Sequence, residues 1–394
     1  MPEQFHFNKT NNNKVSARKS RTEYQDILIP ELRLRVSETG SKSFCIYKRI
    51  RSSKPVRITI GKYPSVTPEQ AKIQARKILA SLVEGINPNE QRRINTLRQI
   101  SLQEAYDGYI ANRNLKDKTV TGYKTVMRNQ LASLASKPLD EIDRESIYTI
   151  HKNSKAKGQA DLAMRLLRAV FNFARNEYLD ENKRSLFPDN PVEVLSHRRQ
   201  WNNAPRKNTH LRKNEIPLFL NALEQVKQDE TYTGISICNA LLFALLTGLR
   251  RTEVLSLKWE DINSKAQYFT IQDPKNSLPL ELPITPHIAD LLKIQENRAI
   301  SDFVFGADNE FGEIKEPKKV VAKVKKLCNS NCNFHDLRRT FATTAEHLDI
   351  GTYKLKRMMN HASGRDDVTA GYTILTAETL RGAAEKIQEA FISI

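Results

Sequence analysis

Apolar residues recur at every second position near the start of this chain and at every third or fourth position almost everywhere after it. That change of period restricts the fold to a small sheet domain followed by helical ones. Residues 32–36, LRLRV, alternate apolar and basic side chains as a half-buried strand does. A turn at 38–41 (Glu-Thr-Gly-Ser) follows, then SFCIYKRI and PVRITIG read as two further strands. At Thr67 the period becomes helical. Thr67 is placed to cap, Pro68 takes the first helical position, and Gln70 closes a capping box. Ala71, Ala75, Ile78, Leu79, Leu82 and Val83 make the apolar stripe, and Gly85 suits the stop.

A second capping box, Ser101 with Glu104, opens a wholly helical stretch. Tyr106, Tyr109 and Ile110 lie early in it, and Leu162, Leu166, Leu167, Val170, Phe171 and Ala174 form a later stripe. Residues 235–246 are the most apolar run, but Cys238 and Asn239 interrupt it and it is too short to span a bilayer, so it reads as a buried helix. Strands are expected again only around 266–271 and 278–284. At 394 residues the chain exceeds one ordinary core. Polar, charged linkers at 91–100 and 181–210 divide it into an α+β domain (1–90), an all-helical domain (101–180) and a mixed, mostly helical domain (211–394). The expected fold class is therefore multidomain, mainly α with small β elements.

The charge balance is one-sided, with 63 Lys and Arg against 45 Asp and Glu, a formal net charge of +18. Such an excess favours solubility and a polyanionic partner, nucleic acid among them. Candidate contacts are Lys48, Arg49, Arg51, Lys54 and Arg57 around the first strands, then Lys152, Lys155, Lys157, Arg165 and Arg168 on the helices. Arg206 and Lys207 lie in the second linker. Four scattered cysteines are too few for a disulfide framework. The polar N-terminus has no apolar signal core, so the expected location is the cytoplasm, with no membrane partner.

The residues that carry chemistry lie in the second half. In HDLRRTFATTAEHL, His335 and Arg338 stand three apart and share a helix face, while Leu337, Phe341, Ala345 and Leu348 anchor another. In TGLRRTEVLSLKW, Thr247-Gly248 ends the buried helix, Arg250 falls in the turn, and Glu253 is near enough to orient a guanidinium. Arginine suits a phosphate because its planar fork binds two oxygens and keeps its charge. Lys275 sits at the tip of an expected hairpin, long enough to reach a neighbouring groove. His361 in MMNHASG and Tyr372 in TAGYT complete the set. Together these residues describe one phosphate held between two guanidiniums, with imidazoles beside it and a phenol to attack it. Cys328, Cys332 and His335 offer three metal donors and no clear fourth, whereas structural zinc needs four. No GxxxxGK loop or carboxylate cluster suggests nucleotide or magnesium, so no cofactor is expected.

This ordered set resembles the catalytic domain of the tyrosine recombinases, the phage integrase family. The likeness extends to the helical middle, which resembles a core-type DNA-binding domain. It also covers the front, where LRLRV, ITIGKYPSVTPEQA and EGINP resemble the arm-type DNA-binding domain of integrases from genomic islands and satellite phages. One departure is that Met359-Asn360 precede His361 where the family usually has Leu-Gly. The resemblance implies that Tyr372 attacks the scissile phosphate to leave a 3′-phosphotyrosyl bond. Arg250 and Arg338 would hold the non-bridging oxygens, with Lys275 protonating the 5′-oxygen, His335 moving the tyrosine proton and His361 bonding the phosphate. It implies as partners double-stranded DNA with core-type and arm-type sites, a tetramer on DNA, DNA-bending host factors and an excision factor. A catalytically silent DNA-binding or excision regulator, or a topoisomerase-like relaxing enzyme, are the alternatives. The tail at 377–394, with Ala384, Ile387, Ala390 and Phe391 on one stripe, packs on its own domain or docks on a neighbouring protomer.

Overall fold

In the computed structural model the alternating front segments form a five-stranded sheet of order β1 to β5: β1 (Glu3–Phe5), β2 (Thr22–Asp26), β3 (Leu32–Val36), β4 (Lys42–Arg49) and β5 (Pro55–Tyr63). The structure describes residues 2–16, 20–49, 55–203, 205, 207–272, 279–360 and 375–393. They divide into two compact units, Met1–Pro205 and Arg206–Ile394. In the first, β1 runs parallel to β2 and the other pairs are antiparallel. Alternation sends Leu32, Leu34 and Val36 into the core and turns Arg33 and Arg35 to the opposite face. After α1 (Lys9–Lys14), α2 (Pro68–Val83) closes the apolar side with Ala71, Ala75 and Leu82, packed with Phe7, Phe44, Ile46 and Ile58. Its Thr67–Gln70 capping box forms as the sequence predicts, and Gly85 follows with φ +86°.

The stretch expected to be a linker at 91–100 is mostly helix, α3 (Pro88–Arg98). Asn87 caps it and Pro88 takes the first turn, which stabilises a helix that only half-buries Ile94 and Leu97 against the bundle core. A helical bundle follows: α4 (Leu102–Ala111), α5 (Asp117–Gln130), α6 (Arg144–Asn153), α7 (Lys157–Glu177) and the short α8 (Glu193–His197). The second expected linker, 181–210, also differs. Leu186, Phe187, Val192 and Leu195 are buried in the bundle core, which the Asn, Pro and basic residues around them obscured. Beyond α8, the buried Asp161 carboxylate accepts from the backbone N–H groups of Asn202 and Asn203 and bonds the His151 ring at 2.8 Å. The first unit therefore stays packed as far as Asn203, well into the stretch expected to be a linker.

The second unit is built around α10 (Tyr232–Thr247), apolar on nearly every side and buried accordingly. Around it lie α9 (Ile216–Gln228), α11 (Arg251–Leu255), α12 (Pro286–Glu296), α13 (Lys318–Cys328), α14 (Phe334–His347), α15 (Thr352–Met358) and α16 (Ala377–Ile392). A three-stranded antiparallel sheet holds β6 (Ile262–Asn263), β7 (Tyr268–Ile271) and β8 (Leu280–Pro283), matching the strands expected near 266–271 and 278–284. Helix α16 packs on this same unit. Leu380, Ile387 and Phe391 are fully buried, and Gln388 bonds Thr285 and the Leu246 carbonyl. Among the described residues, no helix is long and apolar enough to cross a membrane.

Candidate functional site

Helix α10 ends at Gly248, whose φ of +66° is the left-handed conformation that relieves helix ends. A side chain could not replace its hydrogen, since a Cβ there would lie 2.5 Å from Phe341 Cδ1 on α14. This close approach brings the α10 terminus against the helix carrying the His335–Arg338 pair. Arg338 is buried at 4% exposure. Its Nη1 donates to the Gly248 carbonyl at 2.6 Å, and its Nη2 donates to the Met359 carbonyl.

Arg250 stands two residues past Gly248, at the N-cap of α11. Glu253, on the first turn of that helix, accepts from the Arg250 backbone N–H at 2.8 Å and from Arg250 Nη1 at 2.6 Å. Glu253 is itself 4% exposed, so this is a largely desolvated, charge-assisted contact. Arg250 Nη2 also donates to the Asn360 carbonyl at 3.3 Å. Asn360 has φ +48°, a backbone state that Asn tolerates better than most side chains. The main-chain carbonyls of Met359 and Asn360 thus each accept from one guanidinium.

The electrostatics are unbalanced. Burial, and then the Arg250 guanidinium, lower the Arg338 pKa to about 10, with Glu253 opposing, so Arg338 stays protonated near neutrality. Two guanidiniums stand near one carboxylate, which pairs with Arg250 alone and leaves a formal charge of about +1 in a poorly solvated place. Among the described residues no carboxylate forms an ion pair with Arg338. A phosphodiester, with one negative charge and two free oxygens, complements that arrangement in charge and shape.

His335 is exposed on the first turn of α14, beside this cluster. Partial burial, then the Arg339 and Arg338 charges, lower its pKa below the ordinary imidazole value, while Asp336 opposes them. Its ring is therefore mainly neutral at pH 7 and able to accept a proton. The neighbouring residues serve as scaffold. Asp336 is buried, pairs with Arg339 at 2.9 Å and accepts from Thr209 Oγ1 at 2.5 Å. Thr340 Oγ1 accepts from the Leu211 N–H at 2.8 Å, so the segment at 209–211 is fastened along α14. Sequence reasoning missed Thr209, Asp336 and Arg339; the only signal was the doubled arginine, one member turned inward and the other outward.

Lys275, His361 and Tyr372 lie outside the described residues, as do Arg51, Lys54 and Arg206. Of the remaining basic candidates, Arg49, Lys152, Lys155, Lys157, Arg165, Arg168 and Lys207 are exposed. Arg165 and Arg168 lie 5.9 and 5.4 Å from the Trp201 ring. Lys48 pairs with Glu31 at 3.5 Å and Arg57 with Glu23 at 2.7 Å. The four cysteines are free and buried, with the Cys328 and Cys332 sulfurs 3.7 Å apart. Burial holds the Cys332 thiol well above its usual range. Among the described residues no group of three or more His, Cys, Asp or Glu side chains could hold a metal ion.

Residues 209–378 match the model of the phage integrase family, and residues 8–95 match that of the arm DNA-binding domain. The chain is 23% identical over 369 residues to the prophage integrase IntF of Escherichia coli K12, covering 82% of this chain and 77% of that one. It is 28% identical to the prophage integrase IntZ of the same strain, covering 71% and 69%. Its fold is similar to that of a lambda integrase tetramer bound to a Holliday junction, with a TM-score of 0.56, 18% identity and 84% and 96% of the two chains covered.

Proposed function

Because this chain belongs to the phage integrase family of tyrosine recombinases, we propose that it joins and separates a mobile element and a chromosome through a 3′-phosphotyrosyl intermediate. It is a site-specific recombinase, a DNA breaking-and-rejoining enzyme. The observation that best supports the proposed mechanism is the buried Arg338 charge, which is held by carbonyls beside the Arg250–Glu253 pair. A buried cation without a carboxylate of its own is costly unless an anion joins it.

In this mechanism Arg250 and Arg338 grip the two non-bridging oxygens, where charge builds in the transition state. Tyr372 gives up its phenolic proton, assisted by neutral His335, and its oxygen bonds phosphorus as the bond to the 5′-oxygen breaks. Lys275 delivers a proton to that leaving oxygen, and His361 hydrogen-bonds the phosphate. The phosphotyrosyl bond preserves the energy of the phosphodiester, so a 5′-hydroxyl from another strand reseals it without nucleotide hydrolysis. Exposed cations on α6 and α7 and at Lys207 hold the core-type duplex, and the sheet domain takes arm-type sites. The working assembly is a tetramer on DNA in the cytoplasm, aided by DNA-bending host factors and an excision factor.

Tyr372→Phe tests the reading directly. It should bind site DNA as the parent does and give no covalent complex on a nicked suicide duplex. A covalent complex in that variant would remove Tyr372 as the nucleophile. A 5′-bridging phosphorothiolate should restore cleavage to Lys275→Ala, because its leaving group needs no acid.

A further inference from the structure

The outer face of the N-terminal sheet carries an arrangement that the recombinase chemistry does not use. Strand register sets Glu23 opposite Arg35, and Tyr47 opposite Arg57, with Arg33 on the same face. Glu23 Oε2 accepts from Arg33 Nη1 at 3.0 Å, and Glu23 Oε1 pairs with Arg57 Nη2 at 2.7 Å. Arg35 Nε lies 4.0 Å from that same Oε1, beyond hydrogen-bond reach. The Arg33 guanidinium sits 3.9 Å over the Tyr47 ring, and that of Arg57 lies 5.4 Å from it. Among the described residues, Arg33 Nε and Arg35 Nε have no hydrogen-bond partner. Two forks, Arg33 and Arg57, are thus held on one carboxylate and one aromatic plate, with Arg35 beside them, and the group carries a formal charge of about +2.

A carboxylate on a face that meets a polyanion is repelled by every phosphate, so it weakens binding to any duplex. What it can contribute is order. Freely rotating arginines settle on phosphates, which carry no sequence information. Arginines fixed in a plane can instead present paired N–H groups to guanine O6 and N7 in the major groove, which is wide enough to admit β-strands. We propose that Glu23 sets the sequence specificity of the N-terminal domain by holding Arg33 and Arg57 for guanine edges of duplex DNA. Glu23 is then a positioning residue that lowers affinity and raises discrimination. The proposal rests on the recombinase reading only in taking duplex DNA as the partner.

The experiment uses the full chain. A duplex is selected from a random pool, choosing the motif whose enrichment Arg33→Ala abolishes, and its binding is compared with that of a scrambled duplex of equal length and composition. Glu23→Gln should bind the scrambled duplex several-fold more tightly at low salt and steepen the log–log salt slope by about 0.9. Its preference for the selected duplex should fall roughly tenfold. Arg33→Lys, which keeps the charge and loses the fork, should lose preference with an unchanged salt slope. Equal weakening on both duplexes by Glu23→Gln, or an unchanged preference, overturns the proposal. If Glu23→Gln unfolds the domain, Arg33→Lys decides, and a retained preference there rejects base reading. Covalent trapping by the parent chain tests the recombinase reading separately, and its absence would leave the Glu23 comparison valid.

Discussion

Arg338 Nη1 donates to the carbonyl oxygen of Gly248 at 2.6 Å, so the residue that ends α10 also holds the guanidinium rising from α14. Termination of one helix and orientation of the proposed phosphate-binding group are the same contact. Gly248→Ala should disturb both. The left-handed φ and the clash with Phe341 together should cost about 2–4 kcal/mol, read as a lower urea midpoint for the catalytic unit. An unchanged midpoint would mean that Phe341 moves aside freely.

Glu253 should matter more to turnover than to DNA binding. Glu253→Gln keeps the size of the side chain and removes the charge that orients Arg250. A charge-assisted contact of about 1.5–3 kcal/mol predicts cleavage slowed by roughly 10- to 150-fold, measured as covalent complex formed on a suicide duplex. Equal losses in half-site affinity and in cleavage would make Glu253 a general stabiliser instead.

The lowered His335 pKa predicts the acid limb of the pH profile. A neutral ring accepts a proton and a protonated one does not, so cleavage should hold at pH 7 and fall as pH drops through a value below the ordinary imidazole 6.5. Apparent second-order cleavage rates report groups of the free enzyme and are the quantity to follow. His335→Gln should be slow and should lose that limb. A limb of unchanged shape in the variant would assign it to another group.

Helix α16 contributes to the catalytic unit that carries it. Phe391 is fully buried, and Phe391→Ala should destabilise the unit by about 3–5 kcal/mol. Its folding midpoint without DNA is the test. A normal midpoint combined with failure to assemble on paired sites would favour docking of the tail on a neighbour.

Much of this was legible in sequence because its signals are local. The Thr67–Gln70 and Ser101–Glu104 capping boxes, the LRLRV alternation and the i, i+3 spacing of His335 and Arg338 each act within a turn or a strand. The strand pattern even turned Arg33 and Arg35 to the solvent side. It could not bring Glu23 beneath them, since that depends on register between strands. The same limit hid Thr209, which meets Asp336 from far along the chain. The linkers were overextended for another reason. Composition is an average, and a few apolar side chains such as Phe187 and Val192 decide packing against many polar neighbours.

The acceptors that hold Arg250 and Arg338 at Gly248, Met359 and Asn360 are main-chain oxygens, which every amino acid carries. Position 359 is thus free of any chemical demand from Arg338, and position 360 must only accept a positive φ. A pattern search that insists on Leu-Gly before the second histidine would therefore discard workable enzymes. The more durable signature of this clamp is a shape of the backbone, and related chains can change those letters without losing the grip.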